Sequence, residues 1–292
     1  MNLRNFGQWA ATAAISAGLL PLLGSGFANA QAFGHAEPGQ MGFQAPVTSI
    51  AREIQDLHFW LLVMITAITL FVLGLLVYVM VKFNEKANPT PSRTTHHTGL
   101  EVAWTVIPVL ILVVMAIPSF RLLTHELTIP KADMVLKVTG KQWAWSYEYP
   151  KSDGGFDFIS SMKPDKELKA GDLRLLEVDN EVVVPVNKVI QVQVTADPTG
   201  VIHSFVVQSF GIRIDAVPGR LNETWFKAER EGVYYGQCSK ICGKDHAFMP
   251  IVFRVVSQEA YTAWLADAKK KFASAQPPAD SYALNATDSE LR

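Results

Sequence analysis

The stretch GQCSKICGKDHAFMP, residues 236–250, contains the chain's only two cysteines. Three residues separate Cys238 from Cys242, His246 follows four residues later, and Met249 three after that. Thiolate, imidazole and thioether are soft or borderline donors, so this spacing raises metal chemistry at once. Three readings are open. A disulfide would suit an oxidising compartment, but closing so small a loop stabilises a domain of this size little, and it leaves His246 and Met249 without a role. A thiol redox or copper-delivery protein would need helices alternating with strands around the cysteines. A copper electron-transfer site would use thiolate, imidazole and a weak methionine held on strands and their loops. Two thiolates could bridge two copper ions, each needing an imidazole cap. From residue 133 onward the only histidines are His203 and His246.

The elements around this loop are β. Short β-branched or aromatic runs recur from MVLKVTG through QWAWSYEY, EVVVPV, KVIQVQVTA, HSFVVQSF, NETWFKA and GVYYGQC to MPIVFRVV. Turns such as DGG, DPTG and VPGR punctuate them, which predicts an all-β sandwich or barrel. Residues 151–172 read as a surface loop, residues 258–275 as a closing helix, and residues 277–292 as a polar tail.

Charged residues make up only 18% of the chain, which directs attention to membrane segments, and a net charge of −1 gives no sign of a nucleic-acid partner. Residues 1–30 carry Arg4, an apolar middle and small residues at Ala28 and Ala30, the pattern of a cleaved signal peptide. Residues 57–83 and 100–123 are apolar enough to span a bilayer, the second despite Pro108 and Pro118. The connection between them carries Lys82, Lys86 and Arg93 against Glu85, which places it in the cytoplasm. The expected organisation is therefore a leader (1–30), an N-terminal segment with a transmembrane hairpin (31–125), an exported β domain (126–276) and the tail. Glu101, at the cytoplasmic mouth of the second span, is either an interfacial carboxylate or a proton-entry group.

The segments GQCSKICGKDHAFMPIVFRVVS, GVIHSFVVQSFGIRIDAVPGRLNETWF, GKQWAWSYEYP and HTGLEVAWTVIPVLILVVMAIPSF together resemble cytochrome c oxidase subunit II, in the right order over roughly residues 50–270. The resemblance implies a two-helix transmembrane hairpin followed by a cupredoxin-like β-barrel. It implies two copper ions bridged by Cys238 and Cys242 and capped by His203 and His246, with Met249 and the backbone carbonyl of Lys240 as weak ligands. It implies electron entry at Trp143, proton-channel entry at Glu101, and cytochrome c docking at Glu148 and Asp179, with Asp157 and Asp197 as plausible additions. The family has glutamate where this chain has Lys240. A charged ammonium has no lone pair for a cation, so the family's magnesium at the subunit I interface is doubtful here. The family acid before the ligand histidine is Gly200 here, which shifts the acidic patch toward Asp197. The implied partners are subunit I, subunit III and cytochrome c, and the implied site is a bacterial inner membrane with the copper domain on the periplasmic side. The competing reading is a hairpin-anchored copper-storage or copper-delivery protein. A disulfide-bearing, metal-free membrane domain is the third.

Overall fold

The structure, a computed structural model, describes residues 34–153 and 155–273. The leader expected over residues 1–30 and the tail over 277–292 lie outside the described residues.

Two long helices open the described chain, α1 (Ser49–Lys82) and α2 (Thr98–Leu127). Both are apolar along windows long enough to cross a membrane, and those windows present their side chains outward rather than to a protein core. A helix that is apolar all round and uncovered by protein belongs in lipid or against another membrane helix. Both helices extend past the spans read from hydropathy. The added turns are polar, and the β domain holds them. The Thr48 hydroxyl caps α1 by accepting from the Ala51 N–H and donates to the Phe210 carbonyl. Arg52 donates twice to Glu229, and His125 lies 3.0 Å from Glu53 across the base of the hairpin. Pro108 and Pro118 sit within α2 without ending it.

The β domain is a sandwich of two five-stranded sheets. The first is built from β1 (Met134–Lys141), β2 (Ala144–Glu148), β3 (Asp157–Ser160), β5 (Ile190–Ala196) and β8 (Asn222–Phe226), in the order β3-β2-β1-β5-β8. The second is built from β4 (Val182–Pro185), β6 (His203–Val207), β7 (Ile212–Ala216), β9 (Gly232–Cys238) and β10 (Pro250–Val256), in the order β4-β10-β9-β6-β7. The pairs β1·β5 and β4·β10 are parallel, and the others are antiparallel. Inward positions alternate along β1 and β5, placing Leu136, Val138, Val192 and Val194 in one core with Phe205, Phe253 and Tyr234 of the facing sheet. This is the expected cupredoxin-like architecture. Helix α3 (Gln258–Ala273) closes it.

Two strands were not legible. β3 lies inside the segment read as a loop, and β7 follows β6 after a single 3₁₀ turn. β3 has only four residues at the sheet edge, and its order comes from pairing with β2.

Candidate metal centre

The antiparallel pair β6·β9 builds the site. His203 is the first residue of β6 and Cys238 the last of β9, so the pairing brings them to one end of the sheet. Phe205 lies opposite Cys238, and the two-residue period puts His203, Phe205 and Cys238 on the same inward face. β9 and β10 are neighbours in register from Gln237 and Pro250. The residues between them, 239–249, form one loop carrying Cys242, His246 and Met249.

The donor atoms converge. The two thiol sulfurs are 3.9 Å apart and not bonded. His203 Nδ1 lies 3.9 Å from Cys238 Sγ, and His246 Nδ1 lies 3.4 Å from Cys242 Sγ. Met249 Sδ is 3.7 Å from Cys242 Sγ, and the Lys240 carbonyl accepts from the Cys238 thiol at 3.4 Å. The candidate ligand atoms of His203, Cys238 and Cys242 lie within 4.8 Å of one another, and all three residues are buried.

These residues fit a metal. His203 is fully buried, and among the described residues its Nε2 has no partner and its Nδ1 has only a distant sulfur. A buried imidazole so poorly satisfied is costly unless an ion takes a lone pair. Metal–thiolate bonds of about 2.3 Å let one ion touch two sulfurs at this separation. Two thiols, a thioether and two imidazoles form a soft set that suits copper. Burial, and then the adjacent Cys238 thiol, push the Cys242 thiol up to about 12. Burial also lowers the His203 imidazole, helped by His246 and opposed by Asp197. Without metal the Cys242 thiol and the His203 imidazole are therefore held in their neutral forms, and a thiophilic ion must displace the thiol proton to bind Cys242.

Further residues shape the centre that the sequence did not single out. A Cβ at Gly140 would lie 2.8 Å from His203 Cδ2, so β1 approaches the imidazole as only glycine permits. Gly243 has φ +123°, and a Cβ there would meet the Trp143 ring at 2.7 Å. The Trp145 indole donates to the Met249 carbonyl at 3.1 Å, and its ring meets His203 edge-on. Pairs of opposed close approaches leave no signature in one sequence.

Trp143 lies in the turn between β1 and β2, and its indole donates to the Cys242 carbonyl at 3.0 Å. The Lys244 ammonium sits 5.5 Å over the same ring. Asp197 follows β5 at this end of the domain, its N–H bonded to the Gly140 carbonyl and its carboxylate 3.1 Å from Lys141. Glu148 lies at the far end of β2, about 13 Å along the strand, paired with Lys137 at 2.9 Å and with Asp157 as its cross-strand neighbour. Asp179 accepts from the Ser161 N–H at 2.7 Å. The Lys240 ammonium lies 3.7 Å from Asp215. Glu101 belongs to a different region. It sits in the first turn of α2, accepting from the His97 N–H, with the helix between it and the β domain.

Fold and centre together define a membrane-anchored β domain with a buried soft-metal site. Comparison with known proteins agrees. The family model described as cytochrome c oxidase subunit II, periplasmic domain, matches residues 134–256, and the one described as its transmembrane domain matches residues 36–122. The protein named "Probable cytochrome c oxidase subunit 2" of Rickettsia bellii is 49% identical over 239 residues, covering 82% of this chain and 88% of that one. Cytochrome c oxidase subunit 2 of Cereibacter sphaeroides is 46% identical over 252 residues, covering 81% and 82%. A crystal structure of the periplasmic domain of subunit II of cytochrome oxidase from Bradyrhizobium japonicum is 59% identical and covers 50% of this chain and 99% of its own, with a TM-score of 0.46. The chain belongs to the cytochrome c oxidase subunit II family. It is an electron-transfer subunit of that oxidase, and its β domain is the copper-binding, electron-accepting domain of the family.

Proposed function

We propose that the centre holds two copper ions, bridged by the sulfurs of Cys238 and Cys242. His203 and His246 each supply one nitrogen cap, and Met249 and the Lys240 carbonyl are the weak outer ligands. Copper supplies a one-electron couple at this position. One observation carries the reading: the paired sulfurs have an imidazole Nδ1 beside each of them, 3.9 Å from Cys238 and 3.4 Å from Cys242. A single copper of the blue type would use both imidazoles with one thiolate and would leave the second thiol without a role.

The chain's own residues do the rest. Strands β6 and β9 hold His203 and Cys238 rigidly, which keeps the ligand geometry the same in both oxidation states. Trp143 is the entry point for electrons from cytochrome c, since its indole is bonded to a cysteine carbonyl of the centre. Asp197, Glu148, Asp157 and Asp179 steer that partner, Asp197 from closest range. Lys240 takes no part in a magnesium site. Its ammonium faces Asp215 and offers that carboxylate a fixed positive charge. Glu101 stands at the entrance of a proton channel of subunit I, and subunit III completes the assembly. The leader is removed after residue 30, leaving residues 31–125 as anchor and 126–276 as the copper domain. The complex lies in a bacterial inner membrane with the β domain in the periplasm. In support, both ends of the hairpin meet the β domain on one side, and the basic connection lies on the other.

The test is copper loading of the full chain in detergent. Two coppers per chain, with one unpaired electron shared equally by both nuclei in the paramagnetic resonance spectrum, is the expected result. One copper with a localised spin would point instead to a delivery protein. No copper, with both thiols oxidised, would return the loop to a disulfide.

A further inference from the structure

The two helices of the hairpin do not close on each other along their full length. An apolar groove of about 490 Å³ runs between them, and a second of about 270 Å³ continues it. Met64, Val114 and Met115 line both, so the two form one furrow. From Arg121 at its mouth to Ile107 at its deep end it extends about 21 Å, at 1.5 Å per helical residue. That is about half of a bilayer of 40–45 Å including its headgroup regions, so the furrow spans one leaflet.

The deep end is lined only by apolar side chains. The mouth is not. Glu53, Asp56 and Arg121 line it. Glu53 is engaged by His125 at 3.0 Å, and Arg52, the basic neighbour that senses Asp56, is clamped by Glu229. Arg121 and Asp56 make no side-chain hydrogen bond or ion pair among the described residues. Two opposite charges thus stand at headgroup depth over a slot shaped for a hydrocarbon chain.

We propose that this furrow binds a phospholipid whose headgroup carries a phosphate and a primary ammonium, as in phosphatidylethanolamine, with one acyl chain laid between α1 and α2. Arg121 donates to the phosphate, for which a guanidinium fork is suited. Asp56 accepts from the ammonium. A choline headgroup has no N–H to give Asp56. An anionic headgroup would place a net negative charge beside Asp56 and Glu53. Charge complementarity therefore selects the zwitterion with a hydrogen-bonding cation.

The test uses the purified oxidase complex, washed of endogenous lipid. It is offered phosphatidylethanolamine, phosphatidylcholine or phosphatidylglycerol carrying a photoactivatable group on the acyl chain. Adducts are mapped by mass spectrometry at equal haem content. Phosphatidylethanolamine is expected to label the segments around Met64 and Met115. Arg121→Gln should cut that labelling about tenfold, the loss of one charge-assisted contact. Asp56→Asn should retain labelling but lose the preference over phosphatidylcholine. Labelling that is absent from the furrow in the unaltered complex, as when a helix of another subunit fills it, would overturn the proposal. So would labelling that Arg121→Gln leaves unchanged.

Discussion

A methyl group added at Gly140 would lie 2.8 Å from Cδ2 of His203, closer than side-chain carbons approach. Gly140→Ala must therefore displace the imidazole from its place beside Cys238 or force β1 away from it. Changes of this kind around metal ligands cost about 10- to 100-fold in affinity. We expect a loss of that size in a copper titration, with a folded domain by circular dichroism. Trp145 acts on two ligand residues at once, through its N–H on the Met249 carbonyl and its ring edge on His203. Trp145→Phe keeps an aromatic ring, though a smaller one, and removes the donor, leaving a buried carbonyl unpaired at a cost of about 1–3 kcal/mol. A shifted reduction potential and visible spectrum at unchanged copper stoichiometry would identify a positioning role. An unchanged spectrum would reduce Trp145 to core packing. The residues that supply donor atoms were legible, because thiols, imidazoles and a thioether at short spacing are rare and chemically pointed. The residues that make room for them were not. Glycine is common, and what lies against Gly140 is a histidine 63 positions later.

The elements were read from periodicity, and the misses follow from its limits. β1, β5 and β9 alternate strongly because one face of each meets the core. β3 is short, and residues of Gly, Pro and charge surround it, so local sequence resembles a loop until β2 pairs with it. The helices were found from hydropathy, which detects lipid-facing turns and stops where polar residues begin. Their extra turns exist because the β domain receives them. Arg52 and Glu229 hold the start of α1 to that domain by two hydrogen bonds of 2.8 and 2.9 Å. Those bonds hold the Glu229 carboxyl below its ordinary value of 4.5. A depressed carboxylate stabilises the folded state above its unfolded pKa. That contribution disappears as pH falls from about 4.5 through the folded value. The pair is partly exposed, so its worth is about 1 kcal/mol or less. The protection factors for hydrogen exchange in the first turns of α1 should fall on acidification through this window. Arg52→Ala should give the lower protection already at neutral pH and flatten the dependence.

At the scale of the whole molecule, charge is distributed in pairs. Lys137 answers Glu148, Lys141 answers Asp197, and Lys244 covers Trp143. A basic cytochrome c would meet an acidic surface already partly neutralised. Steering should be modest and lost at moderate salt, since Debye screening acts over about 8 Å at physiological ionic strength. Asp197→Asn should lower the association rate more than Glu148→Gln, because Asp197 stands at the Trp143 end of the domain. Equal effects would mean that the partner docks elsewhere. The first described residues are also tied to the last-made part of the fold. The Gly34 carbonyl accepts from the Tyr235 N–H at 2.8 Å, the Val47 N–H donates to Ser209, and the Val47 carbonyl accepts from Glu229. Between these partners in the chain lie both helices of the hairpin. During biosynthesis the opening segment must therefore wait, without its hydrogen-bond partners, until two membrane crossings have been made and the remaining strands delivered to the same side. A chain inserted with one crossing missing could never close this seam, so completion of the copper domain serves as a built-in record of correct topology.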